Sequence, residues 1–142
     1  MSDLRIITDH ISISTKGHTD IINITEPVAA LVKKYKLAEG NVTVFVSGST
    51  AGITTVEYEP GLREDLPEAF ERVAPVGRLY HHDATWNDGN GYAHVRASLL
   101  GPTLIVPFSE GELLLGTWQQ IVVIDFDNRS RTRKIVVQLI GE

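Results

Sequence analysis

The sequence predicts an α+β fold: a mostly antiparallel β-sheet or sandwich with two to three helices packed on it. Three observations carry this. From Thr103 to the end, apolar and β-branched runs are joined by short turns at Ser109-Glu110-Gly111 and Asp127-Asn128. Two segments in the first half repeat apolar residues at helical spacing instead. Hairpin-linked strands with few helices belong to antiparallel architectures with helices on one face.

The elements follow in order. Arg5 to Ser14 alternates, with Ile7, Ile11 and Ile13 on one face. Lys16-Gly17 reads as a turn into a strand over Asp20 to Ile24, so the opening is expected to be a hairpin. Thr25-Glu26-Pro27 looks like a helix start, with Thr25 as N-cap and Pro27 in the first turn. Val28, Leu31, Val32 and Tyr35 share a helical face, and Gly40 can close that helix. Asn41 to Val46 is a β-branched strand, broken by the small residues of Ser47 to Gly52 and resumed over Ile53 to Tyr58. Leu62, Leu66, Ala69, Phe70 and Val73 predict a second helix, starting late or kinking at Pro67. Gly77 to Gly91 reads as a long polar loop, and Ala93 to Leu100 as a short helix. Strands are expected over Thr103 to Pro107, Glu112 to Leu115, Trp118 to Phe126 and Arg131 to Ile140.

The bulk properties set limits. At 142 residues, without repeat or linker, one domain spanning 1–142 is expected. There is no cysteine, which excludes a disulfide scaffold, a thiolate metal site and a cysteine nucleophile. Thirteen basic against 18 acidic residues give a net charge of −5. A phosphate-backbone binder usually carries the opposite excess, so nucleic acid is not an expected partner. No apolar run is long enough to cross a bilayer and no signal core is visible, so no membrane partner is expected and the cytoplasm is the expected location.

Four constellations can carry chemistry. His81-His82-Asp83, Asp88-Gly89-Asn90-Gly91 and His94 place two imidazoles on either side of a glycine-hinged loop. They could ligate a divalent ion, Zn²⁺ or Mg²⁺, or act as acid and base. The ordinary alternative is surface histidines. Ser47 to Gly52 can let a backbone approach an anion through its amides, and Glu57 on the following strand could act as base or ligand. Trp118 and Gln119, after Gly116, could line a heterocycle pocket, or serve as core and strand end. Arg129, Arg131 and Arg133 share one face of a strand; they could bind phosphate or form a solvated basic face.

Together these segments resemble the YjbQ-like family, named for a secondary thiamine-phosphate synthase activity, over roughly residues 12–142. The resemblance rests on Ser49-Thr50-Ala51-Gly52-Ile53 with Glu57, on His82 through Gly89-Asn90 to Ala93-His94, and on Gly101-Pro102 with Val106-Pro107. It continues through Leu115-Gly116-Thr117-Trp118-Gln119 and Arg131 with Arg133. Many relatives carry His-Thr-Thr-Ala where this chain has Gly48-Ser49-Thr50-Ala51; one branch shares the Gly-Ser-Thr form together with a loop like Trp86 to Gly91.

The resemblance implies a homotrimer with pockets near subunit contacts. It also implies an enzyme that joins a pyrimidine methyl diphosphate to a thiazole phosphate and releases pyrophosphate. On that reading His82 and His94, with Glu57, hold a divalent ion or move protons. Ser49, Thr50, Ala51, Gly52, Arg131 and Arg133 hold phosphate, Asn90 contacts substrate, and Trp118 and Gln119 shape the heterocycle pocket. The competing expectation is a binding protein for a phosphorylated metabolite or a metal, without chemistry.

Overall fold

The computed structural model describes residues 3–142. It is an α+β sandwich of eight strands in two antiparallel sheets, with four helices. The strands are β1 (Arg5–Thr15), β2 (Asp20–Asn23), β3 (Gly40–Val46), β4 (Ala51–Val56), β5 (Thr103–Ser109), β6 (Glu112–Leu113), β7 (Gln120–Asp125) and β8 (Arg131–Gly141). The helices are α1 (Thr25–Lys34), α2 (Pro60–Val73), α3 (His81–Trp86) and α4 (Gly91–Leu100).

One sheet runs β1-β8-β3-β5-β6, the other β2-β7-β4. Between them lies the main core. Val42 and Val44 of β3, Ile135, Val137 and Leu139 of β8, Ile53 of β4, and Ile121 and Val123 of β7 meet there, joined by Val28 and Val32 of α1. The period of two in each strand puts these residues on one face. Strand β7 is covered on both sides. Its other face, with Val122, Ile124 and the following Phe126, packs against Tyr92, Ala93 and Ala97 of α4 and the Leu66 and Phe70 side of α2. Phe70 meets Phe126 edge-on, ring centroids 4.8 Å apart.

Several expectations need correction. β1 and β2 are not a hairpin. β1 pairs with β8, from Arg5 opposite Gly141 to Thr15 opposite Arg131, and β2 pairs with β7. Gly17, His18 and Thr19 in succession have positive φ, which turns the chain from one sheet into the other. Gly17 must be glycine there, because a Cβ would lie 2.5 Å from the Asp127 carbonyl. Thr25 is not the N-cap; Ile24 is. Thr25 instead accepts the Ile121 amide through Oγ1, tying α1 to β7. Helix α1 ends at Lys34, followed by left-handed Lys36, and Gly40 opens β3 rather than closing the helix. Helix α2 begins at Pro60 and runs through Pro67. The stretch read as a loop contains the one-and-a-half-turn helix α3, stopped by left-handed Asn87. β4 starts at Ala51, two residues before expectation, and β7 at Gln120, two residues after it.

Candidate metal centre and its buried support

The turn between α3 and α4 brings the two predicted imidazoles together. His82 lies in the first turn of α3 and His94 in the first turn of α4. Their ring centroids are 4.2 Å apart, with planes inclined by 38°. The turn is closed by its own carboxylates and amides. Asp83 Oδ1 accepts the Gly91 amide at 2.9 Å, and Asp88 Oδ1 accepts the Asn90 amide at 3.2 Å. Gly91 has no room for a side chain, since a Cβ would sit 2.5 Å from that of Tyr80.

Asp88 completes the cluster. One ligand atom each from His82, Asp88 and His94 fall within 4.8 Å of one another. His82 Nδ1 is 3.4 Å from Asp88 Oδ1, yet it is buried and has no hydrogen-bond partner among the described residues. An unpaired buried ring nitrogen is costly. A tetrahedral ion bound at about 2.0–2.1 Å holds neighbouring donors about 3.3–3.4 Å apart, so this pair has the spacing of two ligands on one ion. Two imidazoles and a carboxylate suit Zn²⁺; Mg²⁺ prefers an all-oxygen shell. The residues present therefore fit a divalent ion, and zinc better than magnesium. Burial, and then the neighbouring His82, lower the pKa of His94, so its ring stays neutral and able to ligate near pH 7.

Beneath this turn lies a buried polar network. Arg133 Nε and Nη2 donate to the two oxygens of Asp125 at 2.7 and 2.9 Å, a paired contact. Arg133 Nη2 also donates to Thr50 Oγ1 at 2.6 Å, and Thr50 Oγ1 donates to Asp127 Oδ2 at 2.8 Å. Arg131 Nε donates to the same Asp127 oxygen at 3.1 Å, and Thr15 Oγ1 donates to Asp125 Oδ2 at 2.6 Å. Asp125 and Asp127 are fully buried. Burial pushes both carboxyls up, but the hydrogen bonds from Arg133 and Thr15 to Asp125, and from Thr50 and Arg131 to Asp127, outweigh it and hold both below the ordinary value.

The network reaches the histidine turn through Asn128. Its amide donates to Asn90 Oδ1 at 3.1 Å, and its Nδ2 donates to the Asp88 carbonyl at 2.8 Å. Arg129, Arg131 and Arg133 thus share neither a solvated face nor a common environment: Arg133 is buried, Arg131 is partly exposed and Arg129 is exposed. Arg131 and Arg133 continue the core-facing register of Ile135, Val137 and Leu139, and Arg129 lies outside the strand. Ser49, Thr50, Ala51 and Gly52 divide as well. Thr50 belongs to the buried network, and Ser49 and Ala51 line a cleft of about 190 Å³ together with His94. Ala51 and Gly52 are extended residues of β4, whose amides point alternately, so they do not form a continuous anion-binding nest. His82 and His94 also border a second cleft, of about 320 Å³, with Val73, Tyr80 and Val95.

Glu57, Trp118 and Gln119 lie elsewhere. Glu57 and Trp118 line a third cleft with Asn23, Tyr58 and Thr117, at the far end of β4. Six residues of extended chain separate it from the histidine end, roughly 20 Å at about 3.3 Å per residue. Trp118 is 72% exposed, and Gln119 Nε2 donates to Thr55 Oγ1 at 3.0 Å. A single chain therefore does not unite these residues with the imidazole pair.

Reading the sequence missed Asp125 and Asp127 altogether and placed Asp88 in the histidine constellation without singling it out as the carboxylate ligand. The available signal was their setting. Asp125 follows four apolar residues of β7 without a break in burial, and a carboxylate in such a run must be paired.

Comparison with known proteins agrees with this architecture. Residues 9–142 match the family model described as UPF0047 protein YjbQ-like. A UPF0047 protein of Archaeoglobus fulgidus is 38% identical over 128 residues, covering 90% of this chain and 97% of its own. The Bacillus subtilis UPF0047 protein YugU is 31% identical, covering 92% and 97% respectively. The crystal structure of a YbjQ-like protein of unknown function from Sulfolobus solfataricus P2 superimposes with a TM-score of 0.93 at 33% identity, covering 99% of this chain and 100% of that one. The chain belongs to the UPF0047 YjbQ-like family.

Proposed function

We propose that the chain is a zinc-assisted transferase acting on a phosphorylated small molecule, with His82, Asp88 and His94 as the ligand set. The observation that carries this is the unpaired, buried Nδ1 of His82 at ligand-to-ligand distance from Asp88 and in ring contact with His94. The family resemblance supplies the reaction class: a pyrimidine methyl diphosphate joined to a thiazole phosphate, with pyrophosphate leaving. A bound divalent ion supplies Lewis-acid stabilisation of charge on the leaving oxygen.

The chain's own residues do the positioning. Asn90 and Asn128 fix the turn that carries Asp88, so the donors are held rather than gathered on binding. The cleft shared by Ser49, Ala51 and His94 takes phosphate, and the apolar wall of Val73, Tyr80 and Val95 shields the organic part from water.

Trp118, Gln119 and Glu57 join this site only if a second copy supplies them. The homotrimer implied by the resemblance would do so. Exposed Ile6, Phe45, Ile105 and Ile140 of the five-stranded sheet and exposed Trp118 offer apolar surface for such an assembly.

The separation of Trp118 from the imidazoles also supports a second reading, a binding protein for a phosphorylated metabolite in which the arginines and histidines hold a ligand without chemistry. Metal content of the purified protein and a pyrophosphate-release assay decide between them. Zinc near one per chain, with turnover, supports the transferase. Bound phosphate ester without turnover supports the binding protein. Unchanged zinc and unchanged turnover after replacing His82 and His94 together by alanine would remove the ligand assignment.

A further inference from the structure

The turn between α3 and α4 carries the only Asp-Gly pair of the chain, Asp88-Gly89, and the only Asn-Gly pair, Asn90-Gly91. A carboxyl or carboxamide followed by glycine can react with its own backbone. The next amide nitrogen attacks the side-chain carbonyl carbon and closes a five-membered succinimide, and glycine has no side chain to obstruct it. In a flexible chain the Asn-Gly pair closes faster. This fold treats the two pairs in the opposite way.

Asn90-Gly91 is locked. Asn90 is 5% exposed, and its Oδ1 accepts the Asn128 amide. The nitrogen that would attack, that of Gly91, is committed to Asp83 Oδ1 and begins α4. Tyr80 packs against Gly91 too closely to admit even a Cβ, which keeps this peptide from rotating.

Asp88-Gly89 is open. The Asp88 side chain is 43% exposed, and the Gly89 amide donates to no acceptor among the described residues. Gly89 has a φ of 63°, with nothing nearer than 4.0 Å to the place of a Cβ, so the turn needs glycine for conformation and not for space. The same requirement leaves its nitrogen unscreened. The bond from the Asn90 amide to Asp88 Oδ1 folds the carboxyl back over the Gly89 peptide and draws electrons from Cγ.

We propose that Asp88 is a site of spontaneous isoaspartate formation, and that this modification dismantles the carboxylate side of the His82, Asp88 and His94 cluster. The chemistry needs only water. The Gly89 nitrogen bonds Asp88 Cγ, and one carboxyl oxygen leaves as water with the amide proton and the carboxyl proton. A water then opens the ring. Opening at Cγ restores aspartate. Opening at the former main-chain carbonyl routes the backbone through Cβ and Cγ, with no net change of mass. That product adds one carbon to the main chain and turns the Asp88 carbonyl, held by Asn128 Nδ2, into the free carboxylate. Isoaspartate formation stands on the turn alone; its effect on zinc rests on the metal reading above.

The test ages the metal-free full chain at physiological temperature in neutral buffer over several weeks. Trypsin, cutting after Arg78 and Arg96, releases residues 79–96 with both pairs in one peptide. Electron-transfer fragmentation distinguishes isoaspartate from aspartate in it. In the folded chain, isoaspartate at Asp88 should exceed deamidation of Asn90 about tenfold or more. In the same peptide aged free in solution the order should reverse. Asp83, followed by Ala84 within α3, is the internal control and should stay unmodified. Unmodified Asp88 after ageing, or Asn90 deamidating as fast as Asp88 isomerises in the folded chain, would overturn the site. Zinc uptake should fall in proportion to the isoaspartate content. Full uptake by a chain that is mostly isoaspartyl at position 88 would overturn the effect on the cluster. Failure of the metal reading itself appears separately, as a chain that takes up no zinc before ageing.

Discussion

The two ends of strand β4 are built on different principles. At the Ala51 end a buried network stands behind the site: Thr50 bonds Arg133 and Asp127, and Asn128 holds the Asp88 carbonyl, while His82 Nδ1 is left without a partner among the described residues. At the Val56 end, Glu57 and Trp118 are exposed, and Gln119 is tied only to neighbours such as Thr55 and Gly116. A site held by a satisfied low-dielectric network keeps its geometry before a ligand arrives. A site of exposed side chains gains its geometry from whatever covers it. The contrast teaches that one end of β4 is organised by contacts within the chain, whereas the side chains at the other end are largely exposed.

Removing a partner from the network should show the difference most strongly. Asp125→Ala leaves the Arg133 charge buried without its carboxylate, which costs about 3–5 kcal/mol. In a chain of this size that lowers the melting temperature by roughly 10 °C or more. Glu57→Ala, at the exposed end, should change stability by less than about 0.5 kcal/mol. Equal losses in thermal unfolding would erase the distinction between the two ends.

Metal content should follow the same line. His94→Ala is expected to abolish zinc uptake, and Asn128→Ala to weaken it about 10–100-fold by freeing the Asp88 turn. Trp118→Ala should leave it unchanged. Equilibrium dialysis against radioactive zinc measures all three.

Acid should act on the network end first. Asp125 and Asp127 have pKa values below those of the unfolded chain, so their contribution is fully present above about pH 4 and is lost as pH falls through the folded values. Asp127→Asn should flatten the acid limb of the stability profile. His94 behaves alike in direction, because its lowered pKa favours the neutral ring. Its proton titration by NMR should have a midpoint below about 6.5.

The smallest effect is expected for Trp118→Ala on a dilute monomer, within about 0.5 kcal/mol. If sedimentation then shows that this variant no longer assembles as the wild type does, the exposed end is an interface.

Much of the fold was legible because the period of two is explicit in β1 and β8, and Ile7, Ile11 and Ile13 do face inward. The pairing was not. Lys16-Gly17 looks like a hairpin turn from local residues alone, whereas the partner of β1 lies more than a hundred residues away in β8. The histidine pair was legible through its glycine-hinged spacing, but the carboxylate that completes it was one of several in a polar stretch. For Arg133 the solvated-face alternative fails, because its register was not weighed. The alternation Arg133-x-Ile135-x-Val137-x-Leu139 already puts it on the core side.

The order of the five-stranded sheet has a consequence for how the protein is made. β8 lies between β1 and β3, yet it leaves the ribosome after both. At about 5–20 residues per second, β1 waits several seconds or more with an open edge while the intervening chain is synthesised. Pairings of such long sequence separation are slow to form. Through that interval the nascent chain is open to pairing with its neighbours on the same message, and a chaperone that shields β1 would raise the yield of folded protein without altering its final stability.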